Sequence, residues 1–496
     1  MSSADFLAML PHLVLGGAIV LLMLVIAFVR NHALTATLTA LSMLASLLAI
    51  DPSLEALPRQ VTPLFVFDAF GAFFSGLILI AGIASVVFSY RYLQGRKGDP
   101  DEYYLLLAIA TFGAMTLAAT THFAGFLLGL EIVSISLYTL IAYPEEGHPP
   151  LEAGLKYLVL SGVASTTILF GLALLYNATG SMEFHAADRA LNVQPNYEVY
   201  LAAGNILVFA GLAFKLSLVP FHMWTPDVYQ GAPAPVSGFI ATVSKGAVVA
   251  LVYRYLIGGG ALDDDAMVSA IAAIAIASMV IGNVLALMQR DLKRILAYSS
   301  IAHLGYLMIA LLAIDALTNL RFALEAGLIY LTAYFAMTLA AFGIVGMLSS
   351  SDQQTDASSL DHYEGLFWRQ PWVAGVLTIT LLSLAGIPMT AGFIAKFYLI
   401  SAGVEGSMWA LLWALIVGSA IGIYYYLRVI FTMTAQPETT SRNERPVARG
   451  AFAVVCLLGL TILGFGVYPT PLITLVGYAV SGLGGGIGGG MGGIGG

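Results

Sequence analysis

Residues 211–224 read Gly-Leu-Ala-Phe-Lys-Leu-Ser-Leu-Val-Pro-Phe-His-Met-Trp, an apolar run with Lys215 in its interior and Pro220 five residues later. Proline has no N–H and clashes with the carbonyl four residues before it. Pro220 therefore frees the Leu216 C=O and breaks a helix there. An ammonium beside a freed carbonyl makes a cation site, and a broken helix at membrane depth is tolerated only where protein buries it or it lines a wet cavity. The run Gly386-Ile-Pro-Met-Thr-Ala-Gly-Phe-Ile-Ala-Lys396 repeats the combination, with Pro388 freeing the Leu384 C=O and Lys396 eight residues on. Two Pro-broken spans, each carrying a lysine, suggest an internal repeat.

The surrounding chain identifies the medium. Of 496 residues, 59% are apolar and 10% charged, and the mean hydropathy is +0.89; a soluble domain is about a quarter charged. Apolar runs give about fourteen candidate spans between residues 9 and 475, and no loop between them is long enough for a soluble domain. The first run, 9–29, has no basic residue before it and no small-residue cleavage site, so it reads as a membrane helix and not a removed signal peptide. The stretch Gly482 to Gly496 is nearly pure glycine and reads as a flexible end.

Charge sets orientation and excludes whole classes of function. The formal charge is −8, from 20 basic and 28 acidic residues, which leaves no basic surface for nucleic acid. With the N-terminus outside, thirteen of the basic residues fall on the inner side, against Arg59, Arg189, Arg254 and Arg321 on the outer side. The excess supports both termini outside, because short cytoplasmic loops accumulate Lys and Arg. Cys456 is the single cysteine, which rules out an internal disulfide and any Cys-ligated zinc or iron–sulfur centre. The sequence shows no haem ligand pair and no dinucleotide fingerprint, so any redox cofactor must sit in another chain.

Other ionisable residues fall inside the apolar runs. Glu131 lies in Phe-Leu-Leu-Gly-Leu-Glu-Ile-Val-Ser-Ile from Phe126, with no basic residue near it in sequence. Lys245 lies ten residues into its span, and His303 follows Ser299 in Arg-Ile-Leu-Ala-Tyr-Ser-Ser-Ile-Ala-His from Arg294. A charge at a helix centre costs about 3 kcal/mol on insertion scales, so each needs compensation. Burial and opposite charge together can bring protonated and neutral forms close in energy, as a proton relay requires. Each position also has a plainer reading: snorkelling for the lysines, a structural ion pair for Glu131, and a hydrogen-bonded neutral imidazole for His303. Lys156 one turn after Glu152, and Arg321 one turn before Glu325, have ordinary helical salt-bridge spacing. Tyr424-Tyr-Tyr-Leu-Arg428 reads as an interfacial aromatic belt.

Three strings together, Lys-Leu-Ser-Leu-Val-Pro-Phe-His-Met-Trp-Thr-Pro from Lys215, Asp-Val-Tyr-Gln-Gly-Ala-Pro from Asp227 and Lys-Arg-Ile-Leu-Ala-Tyr-Ser-Ser-Ile-Ala-His from Lys293, resemble the antiporter-like membrane subunits of respiratory complex I. The likeness covers nearly the whole chain. The serine–histidine string also occurs in Mrp-type cation/proton antiporters and membrane hydrogenases, whereas the Asp227 string resembles the N-type subunits, the counterparts of mitochondrial subunit 2. The resemblance implies an all-α polytopic membrane fold of about fourteen transmembrane helices with two inverted five-helix repeats and Pro-broken helices. It divides the chain into a three-helix segment (1–100), two repeats (101–260 and 261–435), a C-terminal helix (436–481) and the glycine tail (482–496). It implies a relay in which Glu131 pairs with Lys215, Lys245 and His303 follow, and Lys396 is the last lysine before the outer side. The implied setting is a bacterial inner membrane, with lipid, water, protons, an antiporter-like sister subunit and small membrane subunits as partners. FMN and iron–sulfur clusters are expected in partner subunits and none in this chain; an Mrp-type antiporter subunit is the alternative.

The purified chain is accordingly expected to show no visible absorbance and no bound iron. An absorption spectrum with metal analysis checks this, and stoichiometric haem, flavin or iron would place electron transfer inside this chain.

Overall fold

The computed structural model describes residues 1–96, 98–143, 148–184, 197–258, 262, 264–316, 320–349, 356–436 and 448–487. It is all helical apart from one antiparallel hairpin, Arg59–Thr62 with Phe65–Phe67, among the described residues. In chain order the helices are α1 (Leu10–Phe28), α2 (His32–Leu48), α3 (Ala69–Leu93), α4 (Pro100–Ala119), α5 (Phe123–Ile141), α6 (His148–Thr179) and α7 (Tyr197–Leu216). A short α8 (Trp224–Gly231) leads into α9 (Ala234–Ile257), α10 (Asp265–Leu287), α11 (Leu292–Ala316) and α12 (Leu320–Leu348). Last come α13 (Pro371–Ala385), α14 (Ala391–Glu405), α15 (Trp409–Thr434), α16 (Arg449–Val467) and α17 (Thr470–Ile487).

Among the described residues, 13 helices are long and apolar enough to cross a membrane. The fourteenth expected span, 372–400, is the pair α13 and α14, 15 residues each. At 1.5 Å per residue either half reaches about 22 Å, short of a hydrocarbon core of about 30 Å, so only the pair can cross. The chain after α16 differs from expectation. Pro469 and Pro471 stop α16 before the end of the expected last span, 450–475, and open a second helix, α17, which packs on α3 and α12. The helix takes in the first six residues of the expected tail; residues 488–496 lie outside the described set.

Burial sorts centre from periphery. The apolar window of α9 is 100% buried and those of α11 and α12 94%, whereas α1 and α16 bury only 22% and leave the rest to lipid. Two membrane helices are interrupted, α7 by the segment before α8 and α13 by the segment before α14. Both interruptions hold a non-glycine residue at positive φ, Ser217 (65°) and Met389 (69°), a conformation that persists only where surrounding packing imposes it. Within α9 a π-turn, Ile240–Ser244, immediately precedes Lys245; such turns are inserted into helices mostly at functional positions.

Ion pairs tie these elements together. Arg254, counted on the outer side, is buried in the last turns of α9. Its guanidinium donates to both Asp68 oxygens (3.0 and 2.6 Å) and to the Ala118 carbonyl (2.6 Å), while Asp68 also caps α3 through the Gly71 N–H (2.7 Å). Removing one partner of such a pair strands a buried charge and costs about 3–5 kcal/mol. At the opposite end Lys156 bridges Glu152 (2.8 Å) and Asp227 (2.9 Å), and Asp227 also accepts from Arg294 (3.0 Å). Partial burial opposes ionisation of Asp227, but the Lys156 and Arg294 hydrogen bonds prevail and hold its carboxyl below the usual carboxylate range. Lys293 donates to the Ala232 carbonyl (2.6 Å) and to Asp356 (2.6 Å), so the Asp227–Pro233 string is anchored at both ends to α11. Arg321 pairs with Glu325 at 2.7 Å, the plain salt bridge its spacing suggests.

Lys97, Arg189, Arg442 and Arg445, used in the orientation count, lie outside the described residues. The topology is therefore tested at exposed described positions. In a Cys456→Ala background, single cysteines at Gln94 and Gln436 are expected to label from one side of the membrane and those at Gln60 and Ser407 from the other. Labelling of Gln94 and Gln436 from opposite sides would break the helix count.

Candidate functional site

Four of the five sequence-identified residues are buried amines or imidazole at the centre of the bundle: Lys215 is 4% exposed, Lys245 1%, His303 2% and Lys396 8%. None of the three lysines snorkels. Each instead finds its compensation inside the protein, and the partners are mainly hydroxyls.

Lys215, one residue before the end of α7, donates to Ser134 Oγ on α5 (2.8 Å) and Ser161 Oγ on α6 (2.7 Å). Tyr138 extends the cluster by donating to Ser161 (3.0 Å). The expected contact ion pair with Glu131 is not formed, which corrects the sequence reading. Glu131 stands one turn before Ser134 on α5, its Oε1 is buried and accepts no hydrogen bond from the protein, and its charge acts on Lys215 without a direct contact. The serines lie 81 and 54 residues from Lys215 in the chain, so no local spacing announced them. The backbone carbonyl of Phe214, beside the helix break, accepts from the Ser217 N–H (2.9 Å) and from Trp224 Nε1 (3.0 Å). Here a backbone N–H and an indole, not the ammonium, occupy the carbonyl at the break.

Lys396 follows the other route. The αL residue Gly386 (φ 86°) ends α13, its N–H and that of Ile387 both closing on the Leu382 carbonyl at 3.0 Å. The carbonyls of Leu384 and Ala385 are left open, and Lys396 Nζ takes both (3.2 and 2.9 Å) together with Ser419 Oγ (3.1 Å). Leu384 is the carbonyl that Pro388 was expected to free. A side chain at position 386 would be strained by its φ and would put its Cβ 2.8 Å from Lys396 Cδ, so glycine is required twice over.

Between these ends lies the α11 face. Ser300 accepts from Lys245 Nζ (2.6 Å) and shares a hydrogen bond with Tyr334 Oη (2.6 Å), whose ring centroid is 5.6 Å from that of His303. His303 Nδ1 meets Tyr330 Oη (2.6 Å) and Nε2 meets Tyr426 Oη (3.4 Å). Ser299, expected beside His303, bonds Tyr426 instead. Tyr306 stands between His303 (ring centroids 5.6 Å apart) and Lys396 (Nζ 5.4 Å from the ring), and its hydroxyl accepts from Asn283 (2.8 Å), which in turn accepts from Tyr425 (3.0 Å).

The expected aromatic belt at 424–428 is thus corrected: Tyr424 is exposed, but Tyr425 and Tyr426 are buried members of this network. Arg428 donates to the Leu287 and Gln289 carbonyls (3.0 and 2.5 Å), capping α10. Sequence reasoning missed Ser134, Ser161, Tyr330, Tyr334 and Ser419, and the available signal was hydroxyls inside apolar runs. The arrangement can hold and pass protons, because every amine has a neutral partner and hydroxyls both donate and accept. Its least connected stretch lies between Lys215 and Lys245, walled by Tyr157, Trp224 and Tyr229; the buried Tyr229 hydroxyl there, near Ser300, makes no well-formed hydrogen bond among the described residues.

Residues 120–422 match the family described as NADH:quinone oxidoreductase/Mrp antiporter, transmembrane region. Among solved structures, a chain of respiratory complex I from Thermus thermophilus is 30% identical, with TM-score 0.80 over 94% of this chain and 99% of that one. A chain of the membrane-bound sulfane sulfur reductase, an archaeal respiratory membrane complex, is 26% identical with TM-score 0.80, covering 97% of each. The Mrp complex from Dietzia sp. DQ12-45-1b supplies a chain of the same fold, 20% identical with TM-score 0.83, again over 97% of each. With a buried line of lysines and histidine running through the matched region, this chain belongs to the NADH:quinone oxidoreductase/Mrp antiporter family of membrane proteins.

Proposed function

We propose that this chain is the N-type proton-translocating subunit of a bacterial NADH:quinone oxidoreductase, set in the inner membrane with both termini on the periplasmic side. The carrying observation is the buried series Lys215, Lys245, His303 and Lys396, each held by neutral hydroxyls or carbonyls and none locked to a carboxylate within the protein. An amine locked in a contact ion pair resists giving up its proton; one held by serine can exchange it. Glu131, near Lys215 but not touching it, supplies a negative field at the ammonium. Electrons travel in partner subunits carrying FMN and iron–sulfur clusters, from NADH to ubiquinone, and this chain does no redox chemistry. The Asp227–Pro233 string and the 30% identity to a complex I chain favour this reading over an Mrp-type cation/proton antiporter subunit. Purification of the chain with FMN and iron–sulfur subunits tests the choice, and its isolation in a cation antiporter complex lacking them would overturn it.

Because Glu131 and Lys215 act on each other through a low-dielectric interior, their effects should not be independent. Glu131→Gln and Lys215→Met are each expected to impair coupled NADH:quinone turnover severalfold or more, and the double variant to be no worse than the poorer single one. Losses that multiply would show that the two do not communicate.

Lys396 tests the relay against a packing role. Moving one proton against 100 mV takes about 2.3 kcal/mol, so intermediate sites must hold protons without trapping them. Guanidinium keeps its proton in proteins. Lys396→Arg is therefore expected to assemble but to lose most proton translocation, while Lys396→Glu, which keeps a titratable group, retains more. Wild-type pumping in the arginine variant, measured by proton uptake into vesicles, would end the relay at His303.

A further inference from the structure

At the basic end of the bundle, away from the relay, α2, α3 and the first turn of α16 enclose a groove of about 690 Å³. Its wall on α2 is Ala33, Ala36, Thr37, Ala40 and Leu41, small or apolar side chains along one helix face over about 12 Å of rise. Leu41, at the deep end, is 54% exposed, so the groove opens sideways where hydrocarbon lies. Its other end is polar: Tyr90, Arg91 and Gln94 from the end of α3, with Arg449 from the start of α16. Among the described residues no acidic side chain lines it. The nearby acids Asp99 and Glu102 are each taken by Arg30 at 2.8 Å. Arg91 donates to Gln94 (2.7 Å), and neither it nor Arg449 has a carboxylate partner among the described residues.

We propose that this groove holds an anionic phospholipid, one acyl chain lying along the α2 face and the phosphate bound by Arg91 and Arg449. Two unpaired guanidiniums at the mouth of an apolar slot complement a molecule that is anionic at one end and hydrocarbon at the other, and guanidinium is suited to phosphate. Basic pockets between membrane helices recognise anionic headgroups in this way. A free phosphate would satisfy only the mouth, and the apolar wall selects the lipid. By joining the C-terminal helix to the N-terminal three-helix segment, the lipid fastens α16 at the end where the loop before it runs outside the described residues.

The test places benzoylphenylalanine at Thr37 in the full-length chain, reconstituted in vesicles with equal dioleoylphosphatidylglycerol and dioleoylphosphatidylcholine. Mass spectrometry then identifies the photo-adduct. The phosphatidylglycerol adduct is expected to exceed the phosphatidylcholine one at least fivefold, the double variant Arg91→Gln/Arg449→Gln to bring the two close to parity, and Arg91→Lys/Arg449→Lys to keep most of the preference. Equal adducts in the wild-type chain, or an unchanged preference in the glutamine variant, would overturn the proposal. So would loss of the preference on adding inorganic phosphate, which would mark a phosphate site alone. In native membranes, cross-linking of Thr37 to another protein and not to lipid would show that a subunit fills the groove and would equally overturn it.

Discussion

An ammonium in an apolar interior must be hydrogen-bonded, and how that demand is met governs this structure. A contact carboxylate would stabilise the charge most and would also fix the proton. Lys215, Lys245 and Lys396 are instead satisfied by Ser134 and Ser161, by Ser300, and by two open carbonyls with Ser419. The carboxylate pairs are placed away from the axis, Asp68 with Arg254 and Asp227 with Lys156 and Arg294, where they hold helices together. The division separates charges that build the bundle from charges free to change.

The helix breaks serve the same demand in two ways. At α13 the break exposes carbonyls that Lys396 takes up, so the lysine compensates the break as much as the break compensates the lysine. At α7 the Ser217 N–H and Trp224 take the Phe214 carbonyl, and Lys215 turns to the serines of neighbouring helices. The two sites share a plan, proline, positive φ and lysine, without sharing ligands. The α11 face joins them, because Ser299, Ser300 and His303 fall within one turn and can address α9, α12 and α15 together.

Much of this was legible in the chain itself. Apolar run length located the spans, and Pro388 with Lys396 foretold the Leu384 carbonyl contact, because both effects act within one or two turns. What lay hidden depends on partners distant in sequence. Nothing local distinguishes Tyr424, which faces outward, from Tyr425 and Tyr426, which face Asn283 and Ser299 on other helices. The resemblance implies Glu131 as the ion-pair partner of Lys215, and the sequence contains no sign that two serines reach the ammonium first. The charge count places Arg254 on the outer side but says nothing of its burial, because its partner Asp68 is 186 residues earlier. The second helix after Pro469 falls mostly within what the sequence reading takes as one C-terminal helix, 436–481, and only its last six residues lie among the glycines, which predict disorder unless tertiary packing outweighs their entropy.

The separations that remain are the direct place to look. A structure of the chain in its assembled complex, at a resolution that places water, tests whether the buried residues form one path. The account expects water at the Tyr229 hydroxyl between Lys215 and Lys245, and water beside Tyr306 between His303 and Lys396, completing a hydrogen-bonded line. Dry, side-chain-filled separations at both places, with the lysines still held by the same serines and carbonyls, would contradict it and leave four buried titratable side chains without a route between them.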